Sequence, residues 1–270
     1  MRELDRTNHT TNASAPTPEN PTHGESSPRP RRLTVIGNGR AGKVLAAAFR
    51  SAGIAVEGPL ARGVLPSAES DVVLICTPDS TIEDVALLVP QGPAVGHCCG
   101  AHGTEILGPS HQTFCLHPLM TITESSTASD LVGAWSAIDG SDEDMLALAG
   151  NLASKCGMTP IQIESSDRAA YHAAASVASN FLITLEAAAE EIAATAGLPR
   201  EALLPLIEAT LDNWASLGPS DALTGPVARG DVATVERQRH SVEQRRPELL
   251  PLFDALCGAT EQLARSKAVA

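Results

Sequence analysis

Three glycines in a fixed spacing and three polar residues on one helical run carry the chemistry that can be read in this chain. Gly37, Gly39 and Gly42 stand in the run Gly37-Asn38-Gly39-Arg40-Ala41-Gly42, directly after the β-branched stretch Leu33-Thr-Val-Ile36 and directly before the alanine-rich Lys43–Arg50. In a strand-to-helix turn each glycine of a G-x-G-x-x-G has its own task. The first makes the tight turn, the second lets backbone approach a pyrophosphate, and the third lets helix and strand pack closely. The pyrophosphate then meets the unpaired N–H groups and the positive dipole end of the helix. Further along, His172, Ser176 and Asn180 recur at i, i+4 and i+8 in a long apolar run, so they share one helical face. A polar stripe on an apolar helix must face water, a ligand or a hydrogen-bonding partner.

Were the dinucleotide to pass a hydride to a carbonyl, the developing alkoxide would need a proton donor and positioned hydrogen-bond donors. His172 is the candidate acid, with Ser176 and Asn180 beside it. His117, in Leu116-His-Pro118, falls where a strand is expected to end, and open α/β sheets bind ligands beyond the carboxyl ends of their strands. It is a second candidate donor or a substrate contact. Thr77-Pro78-Asp79 ends another expected strand, a place to line the nicotinamide ribose; Asp79 serves equally as a helix cap. In Thr224-Gly-Pro-Val-Ala-Arg229-Gly-Asp231, Thr224 and Arg229 are candidate ligands for a substrate carboxylate, and Asp231 is a natural N-cap.

Two residues compete for the adenosine ribose. Glu57 lies twenty positions after Gly37, where an acidic side chain would bind the 2′-hydroxyl of NAD. Arg62 lies just past the second expected strand, where a guanidinium pairs bidentately with the 2′-phosphate of NADP. The apolar run continues beyond Glu57 to Leu60, which places Glu57 inside the strand and Arg62 at its end. NADP is the expected cofactor, with NAD the alternative.

The elements that must position these residues follow an alternating pattern. Strands are expected at 33–36, 54–60, 71–78, 92–99, 113–116, 135–138 and 159–163. Helices follow the first, one capped by Ser80 in a box with Glu83 runs through Val89, and one capped at Ser141-Asp-Glu-Asp144 runs to Cys156. Strand–helix alternation predicts a largely parallel α/β sheet. After Ile163 the strand signal stops. Arg168–Ala196 reads as one long helix, apolar on all sides and therefore buried all round, followed by helices near 200–217, 231–244 and 248–267. The expected organisation is a polar tail over 1–31, a dinucleotide-binding domain over 32–165 and an all-helical domain over 166–270.

The tail is rich in Pro, Thr, Asn, Ser and Glu, a composition that cannot bury enough surface to offset its ordering entropy. A net charge of −13 argues against a nucleic-acid partner. No apolar run reaches the ~20 residues that cross a bilayer, and the first residues lack a signal peptide's apolar core, so a cytoplasmic protein without a membrane partner is expected. The six cysteines have no metal-ligand spacing, and no metal is expected.

The chain resembles the 6-phosphogluconate-dehydrogenase-like superfamily, in which a Rossmann NAD(P)-binding domain precedes an all-α domain built on one long helix. Within it the similarity is greatest to a bacterial group with a Rossmann-like domain and a C-terminal helical domain of unknown function. The residues that carry this are Gly37–Gly42, Leu116-His-Pro-Leu-Met-Thr121, Ala170-Tyr-His-Ala-Ala-Ala-Ser-Val-Ala-Ser-Asn-Phe181 and Leu223-Thr-Gly-Pro-Val-Ala-Arg-Gly-Asp231. Ketopantoate reductase and pyrroline-5-carboxylate reductase share the general build. The resemblance implies nicotinamide-dependent reduction of a small carbonyl or imine, with ketopantoate the first substrate to consider and pyrroline-5-carboxylate the second. Several relatives carry a Lys four positions before the Asn, where this chain has Ser176. That departure leaves His172 or a bound water as proton source, and it is the argument for a non-catalytic nucleotide sensor instead. The apolar long helix further predicts a homodimer joined through the helical domains.

Overall fold

The computed structural model describes residues 32–267, so the expected tail over 1–31 lies outside the described residues. Two compact units are present. One comprises the described residues through Cys99 together with Gly103–Gln162; the other comprises Gly100–His102 and the chain from Ile163 onward.

The first unit is a seven-stranded sheet in the order β2-β1-β3-β4-β5-β6-β7. Its strands are β1 Arg32–Ile36, β2 Ala55–Leu60, β3 Val72–Ile75, β4 Ala94–His97, β5 Thr113–Leu119, β6 Trp135–Gly140 and β7 Thr159–Gln162. All neighbours are parallel except β5 and β6, which pair antiparallel with Leu116 opposite Ile138. The uninterrupted apolar run of β3 fits a strand covered on both faces, and every residue of it is buried. One sheet face carries Leu33, Val35, Leu74, Phe114 and Leu116. It packs against Leu45 and Phe49 of α1 (Arg40–Ser51) and against Leu148 and Leu152 of α3 (Glu143–Lys155). Each such side chain contributes about 1.5–3 kcal/mol by leaving water. Helix α3 starts where its sequence provides a cap: Asp142 Oδ1 accepts from the Met145 N–H at 2.9 Å.

The helix expected from a Ser80 cap forms differently. After Pro78 the chain makes a 3₁₀ turn over Asp79–Thr81, then a short α2, Ile82–Ala86. The tight turn moves the cap position from Ser80 to Thr81, whose hydroxyl is already spent donating to the Pro78 carbonyl at 2.8 Å. No Ser80–Glu83 capping box forms.

The second unit is helical. Its elements are α4 (Arg168–Ser176), a π-helical turn (Val177–Phe181), α5 (Leu182–Ala194), α6 (Leu204–Leu217), α7 (Pro219–Ala222), α8 (Val232–Arg245) and α9 (Leu250–Lys267). The expected helix over 168–196 is thus continuous in direction but carries a π turn. Within it Ser179 Oγ donates back to the Ala175 carbonyl at 2.7 Å, and Thr184 Oγ1 donates to the Asn180 carbonyl at 3.1 Å. Such side-chain donors give carbonyls of a widened turn a partner. The expectation that this helix is buried all round is not met. Ala188 is the buried residue of α5, while Phe181 is 57% exposed and Ile183 70%. Among the described residues beyond Ile163 the buried apolar ones are Ala188 and Val242, so this unit has too little covering surface to enclose the helix. Its apolar character is left at the surface. The charged residue at its start does the opposite: Arg168 is 1% exposed, and its Nε donates to the Ile163 carbonyl at 3.2 Å. No helix among the described residues is long and apolar enough to cross a membrane.

Candidate functional site

The sheet order places β2 on one side of β1 and β3 on the other, so the connection from β1 runs one way and the next, from β2, crosses back past β1 the other way. A crevice opens at such a switch point, beyond the carboxyl ends of the strands. Here it holds a cavity of about 460 Å³, a size usual for small-molecule sites. Its floor is the turn Ile36-Gly37-Asn38-Gly39; Arg62 and the following residues form one wall, and Thr77, Pro78 and the α2 turn form the other. The backbone ties the floor to both neighbours: the Gly37 N–H donates to the Leu60 carbonyl at 3.0 Å, and the Cys76 N–H to the Ile36 carbonyl at 2.7 Å.

The glycines meet the demands of a dinucleotide turn one by one. Gly37 has φ +113°, and a Cβ there would run into the Cys76 backbone. A Cβ on Gly42 would overlap the Gly37 carbonyl oxygen. A Cβ on Gly39 meets no protein atom within 4 Å, so the room above this residue is open for a ligand. Thr77 supplies a further fit: its Oγ1 is buried at the cavity edge with no hydrogen-bond partner among the described residues. A nucleotide fits this cradle.

The two candidates for the ribose are in different circumstances. Glu57 lies within β2, in register with Thr34 of β1. Its carboxylate accepts from Thr34 Oγ1 at 2.9 Å and from the Ser67 N–H at 3.2 Å. Arg62 stands past the end of β2 on the cavity wall and makes no side-chain hydrogen bond or ion pair among the described residues.

Of the remaining sequence candidates in this unit, Arg40, Ala41 and Gly42 form the first turn of α1, and Asp79 begins the 3₁₀ turn, exposed. These four do not line the cavity. His117 does not lie past a strand end as expected: β5 runs on to Leu119, and His117 stands within it opposite Ala137 of β6. His97, fully buried, has its tautomer assigned by its neighbours: Nδ1 accepts from the Cys99 N–H at 3.1 Å, so Nε2 carries the proton and donates to the Gly103 carbonyl at 2.9 Å. That is a structural histidine.

In the helical unit, His172 and Ser176 are half-buried on α4, and Asn180 is exposed on the π turn. Thr224 and Arg229 line a separate cavity of about 240 Å³ together with Ser220 and Leu223. Asp231 caps α8, accepting from the Thr234 N–H at 3.1 Å, and its hydrogen bonds with Thr234 hold its carboxyl below the usual range.

Sequence reasoning missed three features. Asp84 lines the nucleotide cavity; the spacing of Thr81, Asp84, Val85 and Leu88 at i, i+3, i+4 and i+7 was the available signal. The apolar wall Val64-Leu65-Pro66 lies in a loop with no periodicity to announce it. Cys76 and Cys98 follow the paired residues Ile75 and His97, and their thiols are hydrogen-bonded. That bond, burial and the neighbouring thiol together push the Cys76 thiol well up.

Residues 134–260 match the family described as a domain of unknown function (DUF2520). No curated protein matches the chain. Among solved structures, a Bacteroides fragilis protein provisionally described as an NADP oxidoreductase is 20% identical, with a TM-score of 0.74 over 86% of this chain and 98% of that one. A Thermotoga maritima protein is 25% identical, with a TM-score of 0.70 over 87% and 99%. A reductive aminase from Aspergillus terreus, solved with NADPH and ethyl-5-oxohexanoate, is 15% identical, with a TM-score of 0.63 over 87% and 94%. The likeness shows a Rossmann-type α/β unit followed by a helical region, the architecture that the sequence predicts.

Proposed function

We propose that this chain is an NADPH-dependent oxidoreductase that reduces a small 2-oxo acid, with ketopantoate the first substrate to try. The observation that carries the reading is the state of the two ribose candidates at the glycine cradle. Glu57 is occupied by Thr34 and Ser67, while Arg62 faces the cavity without a partner. Glu57 is held inside the sheet and does not line the cavity, whereas Arg62 does, and an unpaired guanidinium there suits a 2′-phosphate.

When bound, NADPH supplies the hydride. The chain's part is to hold and to protonate. Gly37–Gly39 and the first turn of α1 would hold the pyrophosphate with N–H groups, and Thr77 Oγ1, which has no partner among the described residues, would be free to hydrogen-bond the nucleotide. His172 is assigned as donor of the proton that the substrate oxygen takes up, with Ser176 and Asn180 as hydrogen-bond donors and His117 as the alternative acid. Arg229 and Thr224 are assigned to the substrate carboxylate, because a guanidinium and a hydroxyl on one small cavity suit a planar anion.

The exposed apolar helix supports a homodimer. Large apolar side chains left open on one helix are what an interface covers, and a twofold pairing of identical surfaces is the commonest solution.

Reduction of an imine is the second reading, supported by the fold shared with a reductive aminase. The test follows NADPH and NADH absorbance across 2-oxo acids and cyclic imines. NADPH oxidation with an oxo acid supports the reading. Turnover with imines alone moves it to the second, and tight NADPH binding without turnover on either class contradicts both in favour of a sensor.

A further inference from the structure

We propose that Asp84 reads the base of the nucleotide, accepting a hydrogen bond from the exocyclic amino group of adenine, so that the cavity selects adenine over a 6-oxopurine. This rests on the nucleotide reading above and adds a specificity residue to it.

The chain segments after β2 and β3 flank the glycine turn on its two sides, because β1 lies between those strands. Val64, Leu65 and Pro66 come from the first segment, and Val85, Leu88 and Val89 from the second. Several of these apolar side chains are left open to solvent at the cavity: Val64 is 48% exposed, Leu65 54% and Leu88 58%. Two apolar walls at one cavity suit a flat aromatic ring, which gains by leaving water on both faces. The purine is the part of the adenosine half that meets this description.

The charged side chains of the cavity are Arg62 and Asp84, one from each wall. Like Arg62, Asp84 makes no side-chain hydrogen bond or ion pair among the described residues. Asp84 is exposed, and a carboxylate can only accept hydrogen bonds, so whatever part of a ligand it touches must be a donor. The phosphates of the nucleotide offer acceptors alone and belong with Arg62 and the glycine turn. The adenine amino group offers two N–H donors at the edge of the ring. Thr81, the polar neighbour on the same face, gives its hydroxyl proton to the Pro78 carbonyl, so its oxygen can also only accept, and as a neutral acceptor more weakly than a carboxylate. Asp84 is therefore the stronger acceptor in place for the base edge, and it sits on the turn that supplies Val85 and Leu88 to the ring.

The hypoxanthine analogue of NADPH tests this contact, since it replaces the amino group by a carbonyl oxygen, puts a proton on the neighbouring ring nitrogen, and leaves ribose and phosphates unchanged. Titrations read by nicotinamide fluorescence should show the wild-type chain binding NADPH about 10- to 100-fold more tightly than the analogue, the range for a charge-assisted hydrogen bond. Asp84→Asn, whose amide can present N–H to the carbonyl, should bring the two within about threefold. Glu83→Gln, an equal charge change at an exposed position outside the cavity, should keep the wild-type ratio. A wild-type ratio near one, or a ratio unchanged in Asp84→Asn, overturns the assignment while leaving the nucleotide reading intact. Failure of wild type to bind either compound overturns the nucleotide reading itself.

Discussion

Thr34 and Glu57 are joined across the β1–β2 ladder by a hydrogen bond of 2.9 Å from hydroxyl to carboxylate. Thr34 has one proton to give, so Ser70 Oγ, 2.6 Å away, donates to Thr34 in turn. The chain Ser70–Thr34–Glu57 is buried at its first two members and makes Glu57 part of the sheet. We expect Glu57→Gln to leave the ratio of NADPH to NADH affinity unchanged within about threefold. Thr34→Val, which leaves a carboxylate and a hydroxyl short of a partner, should cost about 1–3 kcal/mol of stability in urea unfolding.

The glycine turn separates folding from binding. Gly42→Ala places a methyl on the Gly37 carbonyl and should cost about 1–3 kcal/mol or more, as overpacking does, along with nucleotide binding. Gly39→Ala meets nothing in the protein and should melt at the wild-type temperature while losing nucleotide affinity, because its methyl occupies the pyrophosphate's approach. Thermal melts beside NADPH titrations of both variants check this pair.

Stability should fall at alkaline pH through Cys156. Burial pushes this thiol from the ordinary 9.0 up to about 12. Below 9.0 both folded and unfolded chains keep the proton. Between 9.0 and about 12 the unfolded chain releases it and the folded chain holds it, so the unfolded state gains. The contribution is therefore intact below 9.0 and is lost as pH rises toward about 12. Denaturant midpoints across this window should slope downward less steeply in Cys156→Ala than in wild type.

The polar stripe predicts a division of kinetic effects. His172→Gln should lower kcat by about 10²- to 10⁴-fold, the usual worth of a general acid, with KM little changed. Arg229→Ala should instead raise KM for an oxo acid. Steady-state kinetics on the substrate that emerges from the panel distinguish the two, and equal losses in both parameters for both variants would count against the assigned roles.

The helical unit predicts its own partner. With Phe181 and Ile183 open to solvent, wild type should sediment as a dimer, and Ile183→Glu should shift it toward monomer without loss of helical circular dichroism. A monomeric wild type contradicts the dimer reading.

The sheet was legible because its signals are local. An apolar run such as Val72–Ile75, bounded by a turn and a proline, can be little else, and the glycine spacing fixes which turn follows β1. The Asp142 and Asp231 caps were legible for the same reason. Less was visible where an outcome depends on neighbours far along the chain. The engagement of Glu57 needs Thr34, twenty-three residues away, and Ser67. The π turn at Val177–Phe181 leaves no mark in an alanine-rich helical pattern, and the burial of that helix was overestimated because composition reports what a surface prefers to meet, not what is there to meet it. Ser80 looked like a cap until Pro78 and a 3₁₀ turn moved the helix start by one residue.

The most direct measurement is a titration of wild type and Arg62→Ala with NADPH and with NADH, read by nicotinamide fluorescence. Wild type should favour NADPH, and Arg62→Ala should lose about 10- to 100-fold of NADPH affinity, the range for a charged hydrogen-bonded pair, with NADH changed less than about threefold. Equal losses for the two nucleotides, or a wild-type preference for NADH, would contradict the assignment of Arg62 and with it the choice of cofactor.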